Sequence, residues 1–217
     1  MDAEPTLTTR LLASTSIHVV GAGLNRERTA HTAVGELVGR GWRVVPVHPR
    51  DAGATVSGCP VRPMIEPGSP LEVVVFFLAP ERVRDQVRRL LVQSPDPSPL
   101  VWLQPGAEDD VSIGWLQEAG WKVVHDDCLV RYAERHSLTR DAVEQPWFRQ
   151  VADADGSGCS VWTVHEAGES ATVPTTNLEW VGDLIDLQHS SHTVPAYIRR
   201  LRQDAEDLEA CARRLAH

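Results

Sequence analysis

The stretch HVVGAGLNRERTAH, residues 18–31, joins an apolar segment to a glycine turn and then to a helical pattern. Residues 17–20 predict a buried strand that ends in Gly21 and Gly23. From Ala30 to Val38 the apolar residues recur at steps of three and four, which predicts a helix. A turn between a strand and a helix directs backbone N–H groups and the positive helix end toward an anion. The stretch therefore predicts a strand–turn–helix unit with an anion site at its turn.

Strands and helices continue to alternate along the chain as far as residue 127. Strands are predicted over 42–49, 71–80, 99–108 and 121–127, and helices over 6–14, 81–93 and 109–120. The run LEVVVFFLAP (71–80) is continuously apolar, as in a strand that is buried on both faces of a parallel sheet. We therefore expect an α/β fold, a Rossmann-like doubly wound parallel sheet of about five strands that binds ligands at the carboxyl ends of its strands.

The C-terminal part, residues 141–217, has a different pattern. Residues 159–166 alternate like an antiparallel strand, 171–176 are expected to return beside it, and 177–188 and 195–216 are predicted to be helices. In the last helix the spacing is that of a heptad seam formed by Ile198, Leu201, Ala205, Leu208, Ala212 and Leu215. This seam either packs on its own domain or mediates a homodimer or partner contact. We expect two domains, 1–140 and 141–217, the second a small α+β extension with a hairpin and two helices.

The overall composition limits the classes of partner. The formal net charge is −9 and Lys122 is the only lysine, so a general nucleic-acid-binding role is not expected. No segment approaches the ~18 consecutive apolar residues that indicate a membrane span. The four cysteines show no C-x-x-C spacing and the N-terminus does not resemble a secretory leader, so we expect a cytoplasmic protein.

Two positions test which nucleotide would suit the glycine turn. The dinucleotide fingerprint G-x-G-x-x-G is incomplete, because Arg26 stands at the third glycine position. At the end of the second strand, where NAD-binding domains carry an acid, the chain has the segment Val47-His48-Pro49-Arg50. A cation there favours an additional phosphate, either the 2′-phosphate of NADP or the 3′-phosphate of coenzyme A. Spacing alone does not separate these two ligands.

Five blocks in order carry a family resemblance: VVGAGLNRERTAH, GWRVVPVHPR, VVVFFLAPERV, VWLQPGAEDD and GWKVVHDDC. Together they resemble the single-domain CoA-binding proteins that are related to the N-terminal domain of the succinyl-CoA synthetase α-subunit. The resemblance extends over about residues 8–136. It implies a Rossmann-like domain that takes a small-molecule nucleotide, coenzyme A or an acyl-CoA.

The resemblance also implies a set of binding residues. The first turn would face the diphosphate, the end of the second strand would line the adenosine with Arg50 toward the 3′-phosphate, and the remaining residues would border the adenine or the pantetheine. These residues are Gly21, Ala22, Gly23, Asn25, Arg28, Val47, His48, Pro49, Arg50, Phe77, Leu78, Pro80, Gln104 and Gly106. The chain departs from the family pattern at four of its positions. They are Gly23 in place of a serine, His48 in place of an asparagine, and Leu78-Ala79 in place of two arginines.

No complete catalytic apparatus is predicted. His165 is the nearest counterpart of the phosphohistidine that acyl-CoA synthetases use, and a structural role is favoured for it. His189 and His192 with Asp186 have a spacing that suits a metal, but no further ligand is apparent, so no metal site is expected. Cys128 follows two acids, which favours an inert thiol.

Three functions remain open on the sequence. The first is a CoA-binding accessory or regulatory protein without its own catalysis. The second is an NAD(P)-dependent oxidoreductase or redox sensor, which is based on Gly21, Gly23 and Arg50. The third is an interaction protein in which the nucleotide pocket has decayed, as Leu78 and Ala79 indicate.

Overall fold

The computed structural model describes residues 6–153, 159–171 and 177–216. The strands are β1 (Ser16–Val20), β2 (Arg43–Val47), β3 (Thr55–Val56), β4 (Cys59–Pro60), β5 (Val73–Phe76), β6 (Leu100–Leu103), β7 (Val123–Val124), β8 (Trp147–Ala152), β9 (Ser160–His165) and β10 (Leu178–Asp183). The helices are α1 (Leu7–Ala13), α2 (Thr29–Val38), α3 (Pro80–Gln93), α4 (Asp110–Glu118), α5 (Leu129–Arg135), α6 (Leu184–His189), α7 (Thr193–Arg200) and α8 (Leu208–Arg214). Among the described residues, no helix has the length and apolarity that a membrane crossing requires.

Packing divides the chain into two compact units. Unit 1 comprises residues 1–45 and 71–143, and unit 2 comprises residues 46–70 and 144–217. Residues 46–70 thus pack with the C-terminal segment, although the sequence places them between two strands of the parallel sheet. The division into domains 1–140 and 141–217 stays a prediction.

The sheet of unit 1 has the order β2-β1-β5-β6-β7, and its strands run parallel. This confirms the expected Rossmann-like α/β fold. Because β2 and β5 lie on opposite sides of β1, the strand order reverses between β1 and β5, where such folds bind ligands. Val20, Phe76 and Leu103 are aligned in neighbouring strands. The turns that follow β1, β5 and β6 therefore begin side by side at one edge of the sheet.

Asp109 joins helices α3 and α4. It is the N-cap of α4, where its carboxylate accepts hydrogen bonds from the Ser112 amide at 2.8 Å and the Ser112 hydroxyl at 2.6 Å. It also accepts from the Arg84 guanidinium of α3, with Nη2 to Oδ1 at 2.5 Å. The Arg84 hydrogen bond lowers the pKa of Asp109 to about 2, and the bonds from Ser112 act in the same direction against the effect of burial.

This shift predicts acid sensitivity. The pKa of Asp109 is lower in the folded chain than its ordinary value of 3.8, so its contribution is complete above pH 4 and is lost as the pH falls toward 2. Because Arg84 is 46% exposed and its charge is screened, we expect Asp109→Asn to cost about 1–2 kcal/mol at pH 7. Urea unfolding between pH 2 and 7 measures the free energy of unfolding of the wild type, of Asp109→Asn and of the exposed control Asp110→Asn. Equal acid sensitivity of the wild type and Asp109→Asn would contradict the assignment.

Unit 2 is built on an antiparallel sheet in which β8 lies between β10 and β9. β3 and β4 form a separate two-stranded hairpin. One face of the three-stranded sheet supplies Phe148, Trp162 and Trp180, whose rings are stacked, with centroid separations of 5.6 Å and 5.8 Å along the row. The three short helices complete this core with Leu187, Ile198, Cys211 and Ala212.

A fully buried arginine fixes segment 46–70 within unit 2. The Arg62 guanidinium donates to Asp186 at 2.9 Å and 2.5 Å and to Asp183 at 2.9 Å. It also donates to the Pro60 carbonyl, and the Ser69 hydroxyl donates to Asp186 at 2.9 Å. Arg62 and Asp186 are both 0% exposed. The segment between β2 and β5 is therefore tied to α6 and to the end of β10 within unit 2.

The structure corrects the helix predicted over 177–188. Residues 178–183 form β10, which pairs with β8, and the helix begins only at Leu184. The Asp183 carboxylate accepts hydrogen bonds from the amides of Ile185 and Asp186, and Asp186 completes a reciprocal capping box. Because this box satisfies the amides of the first turn, the helix starts there and the preceding residues remain extended.

The long helix predicted over 195–216 is also wrong. Helices α7 and α8 are separated by residues 201–207, where Ala205 has φ +64° and Asp207 caps α8 through the Ala210 amide at 2.7 Å. Ile198, Leu208, Ala212 and Leu215 of the predicted seam lie in the core of unit 2 or pack against it. The described residues of the extension therefore form three short helices rather than two, and these four seam residues pack within their own unit. The return strand predicted over 171–176 lies, apart from residue 171, outside the described residues.

Candidate functional site

The turn after β1 approaches the turn after β5 closely. Gly21 has φ +103°, and a methyl group on it would lie 2.6 Å from the Phe77 carbonyl oxygen and 3.1 Å from Leu78 Cδ2. Only glycine combines this backbone angle with this contact. Ala22 and Gly23 are buried, so they can offer a ligand only their backbone.

The same turn leads into a helix without a side-chain cap. Arg28 occupies the N-cap position of α2 but makes no capping hydrogen bond, and the first turn of α2 carries no acid. Asn25 closes the turn itself, since its Oδ1 accepts from the Glu27 amide at 3.0 Å. The Arg28 side chain is exposed. The positive end of α2 is therefore free of an internal carboxylate and suits an anion.

The turn after β5 is apolar. The Phe77 amide donates to the Val20 carbonyl at 2.9 Å, which continues the β1–β5 pairing. Phe77 and Leu78 are half-buried, Ala79 is exposed at the N-cap position of α3, and Pro80 is the first helical residue. The turn thus offers a hydrophobic border and a second helix N-terminus without a side-chain cap.

The turn after β6 carries a buried polar group. Gln104 is 4% exposed, and within the described ranges its Nε2 has no hydrogen-bond partner. Its backbone amide donates to the Phe76 carbonyl at 3.2 Å, which places it next to the β5 turn. Gly106 follows with φ +90°. A buried side-chain NH2 group without a partner is costly, and a ligand carbonyl at this edge of the sheet would satisfy it.

Residues 47–50 belong to unit 2. Val47 is buried, and the His48 amide donates to the Arg62 carbonyl at 2.9 Å. His48 Nδ1 lies 3.1 Å from Asp51 Oδ2, while Pro49 and Arg50 are exposed. Their assignment to the adenosine side stays a prediction that rests on the family resemblance.

Two of the histidines considered for catalysis or metal binding, His165 and His192, have local partners. His165 is stacked on Trp147 with centroids 3.9 Å apart, and its Nδ1 lies 3.0 Å from Glu169 Oε1. His192 Nδ1 accepts from the Val194 amide at 3.2 Å, and Asp186 is bound to Arg62. No group of three or more histidine, cysteine or acidic residues suited to a metal occurs in the chain as far as it is described.

Cys128 is half-buried at the N-cap position of α5, and its amide donates to Asp127 Oδ1 at 2.8 Å. No disulfide involves it, since it is a free cysteine. The local carboxylate supports the interpretation of an inert thiol.

Ten of the fourteen candidate binding residues follow strands β1, β5 and β6 in unit 1, where those strands end at one edge. They are Gly21, Ala22, Gly23, Asn25, Arg28, Phe77, Leu78, Pro80, Gln104 and Gly106. One residue of α2 that contacts the turn after β1 was not among the candidates. His31 hydrogen-bonds to the Gly23 carbonyl oxygen at 2.8 Å, although the spacing from Asn25 to His31 already belonged to the family motif.

Known proteins resemble the part of the chain that contains these turns. A family model described as "CoA binding domain" matches residues 15–133. A solved protein from Thermus thermophilus, cell-free ID.343, is 31% identical with a TM-score of 0.53, covering 58% of this chain and 92% of its own. The PH1109 protein redesigned for binding is 26% identical with a TM-score of 0.52, covering 61% and 91%. A hypothetical protein from Pyrococcus horikoshii OT3 is 24% identical with a TM-score of 0.52, covering 62% and 98%, and it supports the fold alone.

No curated protein matches the chain. The family model nevertheless spans more than half of the sequence and includes the turns after β1, β5 and β6. The chain therefore belongs to the CoA-binding domain family.

Proposed function

We propose that the protein binds coenzyme A or an acyl-CoA at the carboxyl edge of the unit 1 sheet. The diphosphate would lie at the N-terminus of α2, where the turn 21–25 has no capping carboxylate. The strand order reverses between β1 and β5, so the crevice between their turns is where a nucleotide is expected in such a fold. The exposed side chain of Arg28 adds positive charge beside it.

The observation that carries this proposal is the side-chain NH2 group of Gln104, which is buried and has no hydrogen-bond partner among the described residues. A phosphate site alone would suit many nucleotides, but pantetheine adds amide carbonyls that can accept a hydrogen bond. Gln104 presents a buried donor one strand away from the β5 turn, where such a carbonyl would satisfy it. The apolar border formed by Phe77 and Leu78 suits the methyl groups of the same arm.

The adenosine side of the proposal rests on the family resemblance. Val47, His48, Pro49 and Arg50 would line it, with Arg50 directed to the 3′-phosphate. Leu78 and Ala79 supply no charge where the family has two arginines.

We also propose an accessory or regulatory role in the cytoplasm, with the C-terminal segment contacting a partner or a second copy. His165 supports the non-catalytic part. Its Nε2 is buried without a hydrogen-bond partner in the described residues, and its ring is covered by Trp147. A nitrogen shielded in this way is badly placed to accept a phosphoryl group. An acyl-CoA that keeps its thioester during incubation with the protein supports this role, and release of free thiol contradicts it.

Calorimetry with CoA, acetyl-CoA, ADP, NADP and NAD tests the ligand. We expect CoA to bind at submillimolar concentration and more tightly than NAD. Binding of NADP without binding of CoA would favour the oxidoreductase hypothesis. Failure of the folded protein to bind CoA at millimolar concentration would overturn the proposal and favour a decayed pocket.

The variant Gln104→Leu distinguishes the contribution of the pantetheine arm to binding from that of the nucleotide. Loss of one hydrogen bond in a buried site costs about 1–1.5 kcal/mol, so CoA affinity should fall about tenfold while ADP affinity stays unchanged. Because leucine removes an unpaired buried amide, the thermal midpoint should stay the same or rise. The exposed residue Gln117 provides the control Gln117→Leu, which should alter neither affinity. Equal losses for CoA and ADP would count against the pantetheine assignment.

A further inference from the structure

His31 connects the first turn of α2 to the loop that precedes it. Its imidazole Nδ1 lies 2.8 Å from the carbonyl oxygen of Gly23, and the residue is half-buried. A carbonyl oxygen can only accept, so Nδ1 carries the hydrogen of this bond. The tautomer of the neutral ring is thereby fixed, with its lone pair on Nε2.

The peptide that His31 holds follows a residue without a side chain. A glycine backbone can adopt more conformations than that of any other residue, so a hydrogen bond that selects one of them matters at Gly23. Its carbonyl oxygen carries a partial negative charge, which would repel a phosphate if the peptide turned toward the ligand. The hydrogen bond from His31 keeps this oxygen directed at helix α2.

The rest of the turn is fastened independently. The Asn25 side chain accepts from the Glu27 amide at 3.0 Å, and its carbonyl accepts from the Arg28 amide at 3.1 Å. The Gly21 backbone passes so close to the Phe77 carbonyl that a methyl group on it would lie 2.6 Å from the carbonyl oxygen. The carbonyl of Gly23 lies between these two positions along the chain, and the side chain of His31 hydrogen-bonds to it.

We infer that His31 is a positioning residue for the anionic group of the ligand, which it does not itself need to touch. It turns the Gly23 carbonyl away from the anion, so that the phosphates meet the N–H groups at the α2 N-terminus. This inference rests on the proposed binding function. It also gives a physical reason why a glycine is tolerated at position 23, since the loop conformation is imposed by a side chain of the helix.

Asparagine and glutamine at position 31 test the inference because their side chains carry the same amide group and differ only in length. Asparagine places its side-chain nitrogen at the δ position, where Nδ1 of His31 stands, and glutamine places it one carbon further out. We expect His31→Asn to keep CoA affinity within about twofold and His31→Gln to lose about tenfold. Inorganic pyrophosphate, measured directly by calorimetry, should show the same order of the two variants because the effect acts at the phosphates.

Thermal unfolding of both variants separates positioning from stability. A purely structural role would shift the thermal midpoint of His31→Gln without a matching loss of CoA and pyrophosphate affinity, and that result would overturn the inference. Equal affinities of wild type and both variants would also overturn it while leaving CoA binding intact. Failure of the wild type to bind CoA would instead overturn the proposed function. The pyrophosphate titrations would then still decide whether His31 orders the anion site.

Discussion

Replacing Arg62 by leucine is expected to lower the free energy of unfolding of unit 2 by about 3–5 kcal/mol. The guanidinium is 0% exposed and compensates the carboxylates of Asp183 and Asp186. Without it, two buried acids lose their counter-charge in a medium that stabilises charge poorly. Leucine fills part of the volume but supplies none of the hydrogen bonds, and the Pro60 carbonyl loses its donor as well.

Urea unfolding combined with hydrogen exchange on strand β8 measures this loss within unit 2. Arg62→Lys keeps the positive charge but lacks the planar guanidinium that reaches both acids. We therefore expect its loss of unfolding free energy to lie between those of wild type and Arg62→Leu. Arg213→Leu is the matched control, because Arg213 pairs with Glu166 and Glu209 at the surface. Screening by water weakens these ion pairs, so Arg213→Leu should lower the free energy of unfolding much less. Similar losses for Arg62→Leu and Arg213→Leu would show that the buried network does not hold segment 46–70.

The parallel sheet was predictable because its determinants are local. The run LEVVVFFLAP is apolar without alternation, and its central residues 73–76 are all fully buried. The proline that begins α3 and the aspartate that caps α4 follow equally local rules. Each of these features needs only a short window of sequence to be recognised.

The packing of unit 2 was not predictable in this way. Arg62 is separated from Asp183 and Asp186 by 121 and 124 residues, and nothing near Arg62 indicates an ion pair. The break between α7 and α8 was missed because the apolar spacing continues through it. The Asp207 cap starts a new helix there, so the apolar spacing continues although the helix is interrupted.

The candidate site was predictable at the level of turns rather than of individual contacts. Family motifs located the turns after β1, β5 and β6, which the structure aligns at one edge. That the side-chain nitrogen of Gln104 is buried without a hydrogen-bond partner among the described residues depends on neighbouring strands, so the sequence could not show it. The bond from His31 to Gly23 depends on the conformation of the loop, which the motif spacing does not specify.

Two glycines in unit 1 end helices in the same way but in different surroundings. Gly41 follows α2 with φ +92°, and Gly120 follows α4 with φ +74°. Each amide donates back into its helix, to Val38 at 2.9 Å and to Gln117 at 3.0 Å respectively. A methyl group on Gly120 would meet nothing within 4 Å. A methyl group on Gly41 would lie 2.6 Å from the carbonyl carbon of Arg140 and closer still to its oxygen.

The backbone of Arg140 cannot move aside easily. Its amide donates to the Arg40 carbonyl at 2.8 Å, and its guanidinium donates to the carbonyls of Leu12 and Ser14. Gly41→Ala must therefore break these bonds or distort the end of α2.

Gly120→Ala should cost about 1 kcal/mol, because an L-residue with positive φ is strained and the variant meets no obstacle. Gly41→Ala carries the same strain together with overlap against a fixed main chain, so we expect a loss of at least about 3 kcal/mol. In a chain of this size the thermal midpoint should then fall by roughly 6–12 °C, against roughly 2–4 °C for Gly120→Ala. Because the two sites share their backbone angle and hydrogen bonding, the difference between the variants isolates the close approach to Arg140. Equal midpoints for the two variants would mean that residues 138–141 do not pack on the end of α2 with the fixed geometry described.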